Sequence, residues 1–237
     1  MRNPDRETIF RFKRFAVTNS ESAMKIGTDS VALGAWIEVD GVRTALDVGA
    51  GSGVLSLMLA QRGVMHVTAI EIDAKAAEEA SKNVAASEWA DRIKVIKADV
   101  CNWSESVLTP LLFDLIISNP PYFSSELKSP LTDRATARHE GTLSFKSLMK
   151  IATRHLSPGG RLAIIAPTDR LEDIELEAAI SQLNVRRLCF LSTSPKKAPK
   201  RVMMEICAED CATPMTETIS VSSDEFKLLT KDFYLDR

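Results

Sequence analysis

The stretch that decides the fold is "LDVGAGSGVL", residues 46–55. An apolar segment leads into Gly49, Gly51 and Gly53, and an amphipathic segment follows them. This order is typical of a strand, a tight turn and a helix, in which glycines let backbone N–H groups approach a ligand closely. The spacing does not meet the dinucleotide fingerprint G-x-G-x-x-G, and Asp47 would repel a pyrophosphate. A ligand that carries an ammonium group suits this loop better.

The same alternation of strands and helices extends from Thr44 to about Gln182. It predicts parallel βαβ units with right-handed crossovers. The last two strands flank the short segment "SPKKAPK", which permits an antiparallel pair but not a parallel one. We therefore predict an α/β fold with a Rossmann-like sheet of seven strands, mostly parallel with one antiparallel strand. The predicted divisions are an N-terminal arm and cap (1–40), the main domain (41–210) and a C-terminal tail packed on the core (211–237).

Acidic residues end the next two predicted strands. Glu71 lies about 20 residues past the glycines, where a carboxylate can accept from both hydroxyls of a ribose. Asp99 ends the third strand and can accept from an exocyclic adenine amine, while Val100 offers its backbone N–H to a ring nitrogen. A ligand that carries an ammonium group, a ribose and an adenine but no phosphate matches S-adenosylmethionine. With Asp47 and the glycines, these residues resemble the class I methyltransferase family, which implies the same cofactor.

The segment "SNPPYF", residues 118–123, leaves the fourth predicted strand. The Asn119 side-chain oxygen and the Pro120 carbonyl can hold the two hydrogens of an exocyclic amine and direct its lone pair at a methyl donor. Pro121 presets the direction of the Pro120 carbonyl, and Tyr122 can stack on a planar substrate. The segment resembles the N-P-P-[YF] motif of amino-methyltransferases, so we predict Asn119, Pro120 and Tyr122 as catalytic and Asn119 also as a cofactor neighbour.

Three flanking stretches narrow the substrate. They are "KIGTDSVALGAW" (25–36), "ARHEGTLSF" (137–145) and "KKAPKRVMMEI" (196–206). They resemble the bacterial tRNA adenine-N6 methyltransferases, which modify the adenine 3′ of the anticodon in a valine tRNA. The resemblance implies a tRNA partner and the methyltransferase sheet. It leaves open whether Asp29 is a helix cap or a neighbour of the cofactor, and what His139 does.

Two basic segments are candidates for RNA contact. One is the loop before the last strand, which would open on the same edge of the sheet as Asn119. The other is the N-terminal arm, where aromatic residues alternate with basic ones, a combination suited to RNA backbone and bases. The predicted contacts are Lys196, Lys197, Lys200, Arg201, Arg11, Lys13 and Arg14.

Composition limits the remaining classes. The chain has 237 residues and a net charge of −2, so nucleic-acid binding needs a local basic patch. No apolar run approaches the roughly 18 residues that span a bilayer. The four cysteines have no metal-ligand spacing, which indicates reduced thiols and no metal. We expect a cytoplasmic protein, without membrane contact, as a monomer or weak homo-oligomer.

Other functions remain open. A protein glutamine N5-methyltransferase shares the motif, but the roughly 43 residues before Thr44 are too few for the helical domain such enzymes usually carry. A non-catalytic S-adenosylmethionine-binding module or RNA scaffold would not need amine acceptors. Methylation of an exocyclic amine on another RNA base or on DNA is also compatible with the motif, although no large target-recognition insertion is visible.

Overall fold

Apolar residues alternate between two faces along the central strands. Ala45, Leu115 and Ala163 pack into one hydrophobic core, while Leu46 and Leu162 pack into a second core on the opposite face of the sheet. Successive side chains of a strand point to opposite faces, so a strand with a continuous apolar run must be covered on both sides. The sheet is therefore the middle of three layers.

The computed structural model describes residues 9–22, 25–120 and 143–235. The strands are β1 Ile9–Arg11, β2 Ala16–Thr18, β3 Thr44–Val48, β4 His66–Glu71, β5 Ile93–Lys97, β6 Phe113–Ser118, β7 Leu156–Pro167, β8 Asn184–Ser192, β9 Arg201–Cys207 and β10 Met215–Ser220. The helices are α1 Thr28–Trp36, α2 Val54–Gln61, α3 Ala74–Ala85, α4 Val100–Ser106, α5 Phe145–His155, α6 Leu171–Ile180 and α7 Asp224–Thr230, with a 3-10 turn at Thr168–Arg170.

Strands β3 to β10 form one sheet in the order β10-β8-β9-β7-β6-β3-β4-β5. Only β9 runs antiparallel to its neighbours in this sheet, and the other pairs are parallel. The predicted α/β fold, with a mostly parallel sheet and one reversed strand, is confirmed. Helices α1, α2 and α7 cover one face, and α5 and α6 cover the other.

Within the described residues the sheet has eight strands, one more than the seven predicted. Strand β10 pairs in parallel with β8, from Met215 opposite Arg187 to Ser220 opposite Ser192. Its sequence "MTETIS" has no run of apolar residues because it lies at the edge, where only its last two residues are buried. The chain after β9 thus contributes strand β10 and helix α7, and Phe226 and Phe233 are buried.

Strand β5 is shorter than predicted. It ends at Lys97, and the chain turns into α4 at Val100 instead of continuing as a strand. The turn is stabilised by Asp99, whose side chain accepts from the backbone N–H groups of Cys101 and Asn102 at 2.8 and 3.3 Å. An aspartate at this position caps the helix, since the first N–H groups of a helix have no partner within it.

Candidate active site

The glycine loop lies between β3 and α2. Gly49, Gly51 and Gly53 have φ angles of 72°, 55° and 81°, the left-handed region in which residues with a Cβ are strained. The backbone N–H of Gly49 donates to the Ile70 carbonyl at 2.9 Å, which fastens the loop to the end of β4. The three glycines are therefore needed for the shape of this turn.

Asp47 lies beneath the loop and is fully buried. Its Oδ2 accepts from the Ser56 hydroxyl at 2.6 Å and from the Ser56 backbone N–H at 3.1 Å. Within the part of the chain that the structure describes, Oδ1 has no hydrogen-bond partner. Burial raises the pKa of Asp47 to about 7, against the two bonds from Ser56, which lower the pKa. A direct contact between the Asp47 carboxylate and a ligand's ammonium group stays a prediction.

Glu71 closes the loop from the end of β4. Its Oε2 accepts from the backbone N–H of Gly51 at 2.8 Å, and its Oε1 accepts from the backbone N–H of Asp73 at 2.9 Å. Each carboxylate oxygen has two lone pairs, so these bonds leave capacity for further donors. The carboxylate thus holds the glycine loop in place and stands where the sequence predicts a ribose contact.

A pocket opens beside the loop at the carboxyl ends of β3, β4 and β5. Asp99 stands in its wall at the start of α4. Six lining residues were not predicted, among them Ile72, which directly follows Glu71 and is 44% exposed, and Leu143. The sequence signal that could have indicated Ile72 was an isoleucine directly after a strand-end acid. The apolar lining is formed by Val48, Ile70, Ile72, Ala98, Val100 and Leu143.

Asn119 stands at the end of β6, beside the glycine loop. The preceding residue, Ser118, donates its hydroxyl to the Val48 carbonyl at 2.8 Å and so joins the ends of β6 and β3. The Asn119 Nδ2 donates to the Ser30 hydroxyl oxygen at 2.8 Å, a contact that no sequence motif indicated. Pro120 is buried. Pro121, Tyr122 and His139 lie outside the described residues.

Ser30 belongs to the first turn of α1. The helix begins at Thr28 with Gly27 before it, so Asp29 is inside the first turn and is not the N-cap. The Asp29 Oδ2 accepts from the Arg201 Nε at 2.7 Å, an ion pair of two partly exposed side chains. Helix α1 therefore contacts both the end of β6 and the start of β9.

The loop between β8 and β9 lies at the carboxyl edge, as predicted. Strand β8 runs in the same direction as β7 because both pair antiparallel with β9. Lys196, Lys197 and Lys200 are exposed in this loop. Arg201 differs, since its guanidinium also donates to the Lys200 carbonyl at 3.1 Å and is fixed against Asp29. The loop presents its lysines on the edge where Asn119 stands.

The N-terminal hairpin of β1 and β2 is placed differently from the expectation. Helix α3 connects the parallel strands β4 and β5, so it begins at the carboxyl edge and ends at the amino edge. Arg14 pairs with Glu88, just past the end of α3, at 2.6 Å, and its guanidinium lies 5.1 Å from the Trp89 ring centroid. This position argues against Arg14 sharing the face of Asn119, and contacts of Arg11 and Lys13 with RNA stay predictions.

Two aromatic residues of the hairpin are also not available for RNA bases. Phe12 and Phe15 are buried and their rings stack 4.5 Å apart. Phe15 meets the edge of Trp89, and Phe12 packs on Tyr234. The alternation of aromatic and basic residues reflects an amphipathic hairpin with its apolar side on the core.

No metal site is visible in residues 9–22, 25–120 and 143–235, where no three histidine, cysteine, aspartate or glutamate side chains are placed to hold an ion. Over the same ranges, no helix has the length and apolar character required to cross a bilayer.

Comparison with other sequences identifies relatives over nearly the whole chain. A tRNA1(Val) (adenine(37)-N6)-methyltransferase from Phocaeicola vulgatus is 42% identical and covers 96% of this chain and 97% of its own. A protein of the same name from Porphyromonas gingivalis is 44% identical, with 95% and 94% covered. The corresponding protein from Tolumonas auensis is 38% identical, with 95% and 96% covered.

Solved structures share the fold at low identity. An Agrobacterium tumefaciens protein described as a predicted O-methyltransferase superposes with a TM-score of 0.69 at 18% identity, covering 89% of this chain and 99% of its own. A T. thermophilus 16S rRNA N2 methyltransferase, solved with AdoMet and guanosine, superposes with a TM-score of 0.57 at 20% identity, covering 85% and 50%. The sequence profile of the methyltransferase small domain matches residues 20–187. The chain therefore belongs to the methyltransferase small domain family and to the family of bacterial tRNA1(Val) (adenine(37)-N6)-methyltransferases.

Proposed function

We propose that this protein transfers a methyl group from S-adenosylmethionine to N6 of an adenine in tRNA, at the adenine 3′ of the anticodon in a valine tRNA. The observation that carries the proposal is the position of Asn119, at the end of β6 beside the glycine loop and hydrogen-bonded to α1. Relatives of 38–44% identity carry the name of this activity.

The pocket next to the loop suits the adenine of the cofactor. Glu71, which lies in the chain between the lining residues Ile70 and Ile72, can accept from ribose hydroxyls while it holds Gly51. The apolar walls at Ile72 and Leu143 fit the faces of a purine, and Asp99 with the Val100 backbone suits its polar edge. When bound, S-adenosylmethionine supplies a sulfonium methyl as the electrophile. Asp47 acts from below the loop, by holding Ser56 at the start of α2.

The reaction needs two acceptors near that methyl position. An adenine N6 amine is a weak nucleophile because its lone pair is delocalised into the ring. The Asn119 Oδ1 and the Pro120 carbonyl would accept the two N–H groups, and the lone pair would then project out of the ring plane. Positioning of this kind supplies much of the rate, and the cationic donor makes a strong general base unnecessary. Tyr122 would stack on the adenine.

Lys196, Lys197 and Lys200 are the proposed tRNA contacts. They are exposed on a loop at the carboxyl edge of the sheet, the edge at which Asn119 stands. Such contacts release counterions from the RNA, so binding should weaken as salt rises.

The test is incubation of the protein with labelled S-adenosylmethionine and bulk tRNA, rRNA, DNA or protein from a host that lacks the enzyme. Nucleoside analysis should find N6-methyladenosine in the tRNA fraction only. Asn119→Ala should greatly lower turnover and leave a measurable residual rate, while calorimetry shows nearly unchanged cofactor affinity, because the lost acceptor acts as the amine becomes tetrahedral.

Tyr122 variants serve as a check on the stacking role. Tyr122→Phe should keep much of the activity and Tyr122→Ala should mainly weaken substrate binding, since the ring face makes the contact. Label in glutamine, DNA or another base would overturn the proposed substrate, and tight NADH binding would overturn the cofactor.

A further inference from the structure

We propose that Ser30 is a positioning residue that sets the orientation of the Asn119 side-chain amide for the reaction. This inference rests on the proposed role of Asn119 as an amine acceptor. Ser30 comes from α1, about 90 residues before Asn119 in the chain, and its hydroxyl oxygen accepts from the Asn119 Nδ2 at 2.8 Å. The contact therefore joins an element outside the N-P-P-Y segment to the reacting edge of the sheet.

The orientation of this amide decides whether the substrate is accepted. An asparagine amide has a carbonyl oxygen at one end and an NH₂ donor at the other, and the two ends exchange places when the group turns by half a revolution. Adenine N6 brings two N–H donors, so it needs the carbonyl end. The Asn119 Nδ2 donates to the Ser30 oxygen, which leaves the carbonyl end free for the adenine amine. Because a serine hydroxyl can also donate, the bond holds the amide in place, and adenine N6, which offers only donors, selects the arrangement in which the carbonyl faces the substrate.

The Ser30 hydroxyl is held in place by the rest of α1. Val31, Leu33 and Trp36 of the same helix are buried in the core. The neighbouring Asp29 is joined to Arg201 at the start of β9 at 2.7 Å. The position of Ser30 thus depends on the core and on β9, and the amide is fixed by a rigid element before any substrate arrives.

The test compares Ser30→Ala and Ser30→Thr with the wild type, using Ser81→Ala as the matched control. Ser81 is also a helix serine, but its hydroxyl bonds the Ala77 carbonyl of its own helix. Loss of orientation in Ser30→Ala should lower kcat about 10- to 100-fold, with the KM for tRNA and the cofactor Kd within about twofold. Ser30→Thr, which keeps the acceptor oxygen, should recover most of kcat, and Ser81→Ala should match the wild type.

A second comparison separates positioning from a structural role. Ser30→Ala should cause no further loss of single-turnover rate in an Asn119→Ala background, because its effect passes through that amide. An unchanged kcat for Ser30→Ala overturns the inference. A lowered kcat that Ser30→Thr does not restore, accompanied by a lowered Tm, also overturns it, in favour of a structural role.

A different outcome would contradict the proposed function. A wild type that methylates another exocyclic amine instead of tRNA overturns the substrate, and the same variants assayed on that amine then decide the role of Ser30. Full activity of Asn119→Ala would contradict both the proposed role of Asn119 in the reaction and the positioning role of Ser30.

Discussion

The acidic side chains around the pocket bond the protein's own backbone before any ligand is considered. Asp47 accepts from the Ser56 N–H, Glu71 from the Gly51 N–H, and Asp99 from the Cys101 N–H. Each carboxyl group therefore fixes the start of a helix or the glycine loop, and the loop's shape depends on acidic side chains below and beside it. A residue with such a double role should affect stability as well as cofactor binding.

The pH dependence of stability tests whether the buried Asp47 carboxyl keeps its proton in the folded protein. Its pKa is raised to about 7 by burial in the folded protein, whereas the unfolded chain releases the proton near pH 3.9. Between these values the folded state holds a proton that the unfolded state does not, so stability should fall as pH rises, by at most about 1.4 kcal/mol per pH unit. Denaturant unfolding of the wild type and Asp47→Asn at pH 5 and pH 8 measures the effect.

Asp47→Asn removes the titrating carboxyl group. Any loss of stability that the amide itself causes is the same at each pH, so it cancels when the slopes of unfolding free energy against pH are compared. The variant should thus gain stability relative to the wild type as pH rises. Equal pH slopes for the two proteins would show that the Asp47 pKa is not raised in the folded state.

Glu71 should affect cofactor binding more than its helix-capping neighbour does. Glu71→Ala removes the clamp on Gly51 and a charged acceptor for the ribose, so the Kd for S-adenosylmethionine should rise about 10- to 100-fold. Asp73→Ala is the control because Asp73 only caps α3, by accepting from the N–H groups of Lys75 and Ala76. It should lower stability by about 1 kcal/mol and leave affinity nearly unchanged. If calorimetry shows equal losses of cofactor affinity for Glu71→Ala and Asp73→Ala, the loss comes from the start of α3 and not from the ribose contact.

At the scale of elements, the segments found from the sequence are those with a strong apolar pattern. The seven predicted strands are present, and the glycine loop and strand-end acids lie together because parallel strands bring their carboxyl ends to one edge. Strand β10 has mostly polar residues at an edge, so nothing in its pattern indicates a strand. The Ser30–Asn119 bond and the Asp29–Arg201 pair join residues far apart in the chain and could not be predicted from local spacing.

The loop between β8 and β9 contains two kinds of basic residue. The Arg201 guanidinium is joined to Asp29 and to a backbone carbonyl, whereas Lys196, Lys197 and Lys200 are exposed. Replacing each lysine with Ser should reduce the slope of log K against log salt for tRNA binding by about 0.7 to 0.9. Arg201→Ala should leave that slope unchanged. Filter binding across a salt series measures this slope. An equal reduction of the slope for Arg201→Ala would show that this arginine contacts the RNA.

Across the whole molecule, one charged cluster joins the edge strand to the rest of the sheet. The Arg187 guanidinium on β8 lies 2.7 Å from Glu217 on β10 and 3.6 Å from Glu205 on β9. Its Cζ lies 4.3 Å from the ring centroid of Trp36, whose Nε1 donates to Glu217 at 2.6 Å. The cluster therefore connects α1, which holds Ser30, with three strands at the far side of the sheet.

Arg187→Ala should destabilise the protein without a direct effect on the reaction. Glu205 is only 1% exposed, so removing the arginine leaves a buried carboxylate without its counterion. We expect a loss of about 2–3 kcal/mol, or roughly 4–12 °C in Tm by calorimetry. Arg186→Ala is the control, since Arg186 is an exposed arginine on the same strand and should change Tm by less than about 2 °C. Glu205→Gln added to Arg187→Ala should recover part of the loss, because the buried charge is then gone. If the double variant is no more stable than Arg187→Ala, the loss comes from the stacking on Trp36 and not from an unpaired charge.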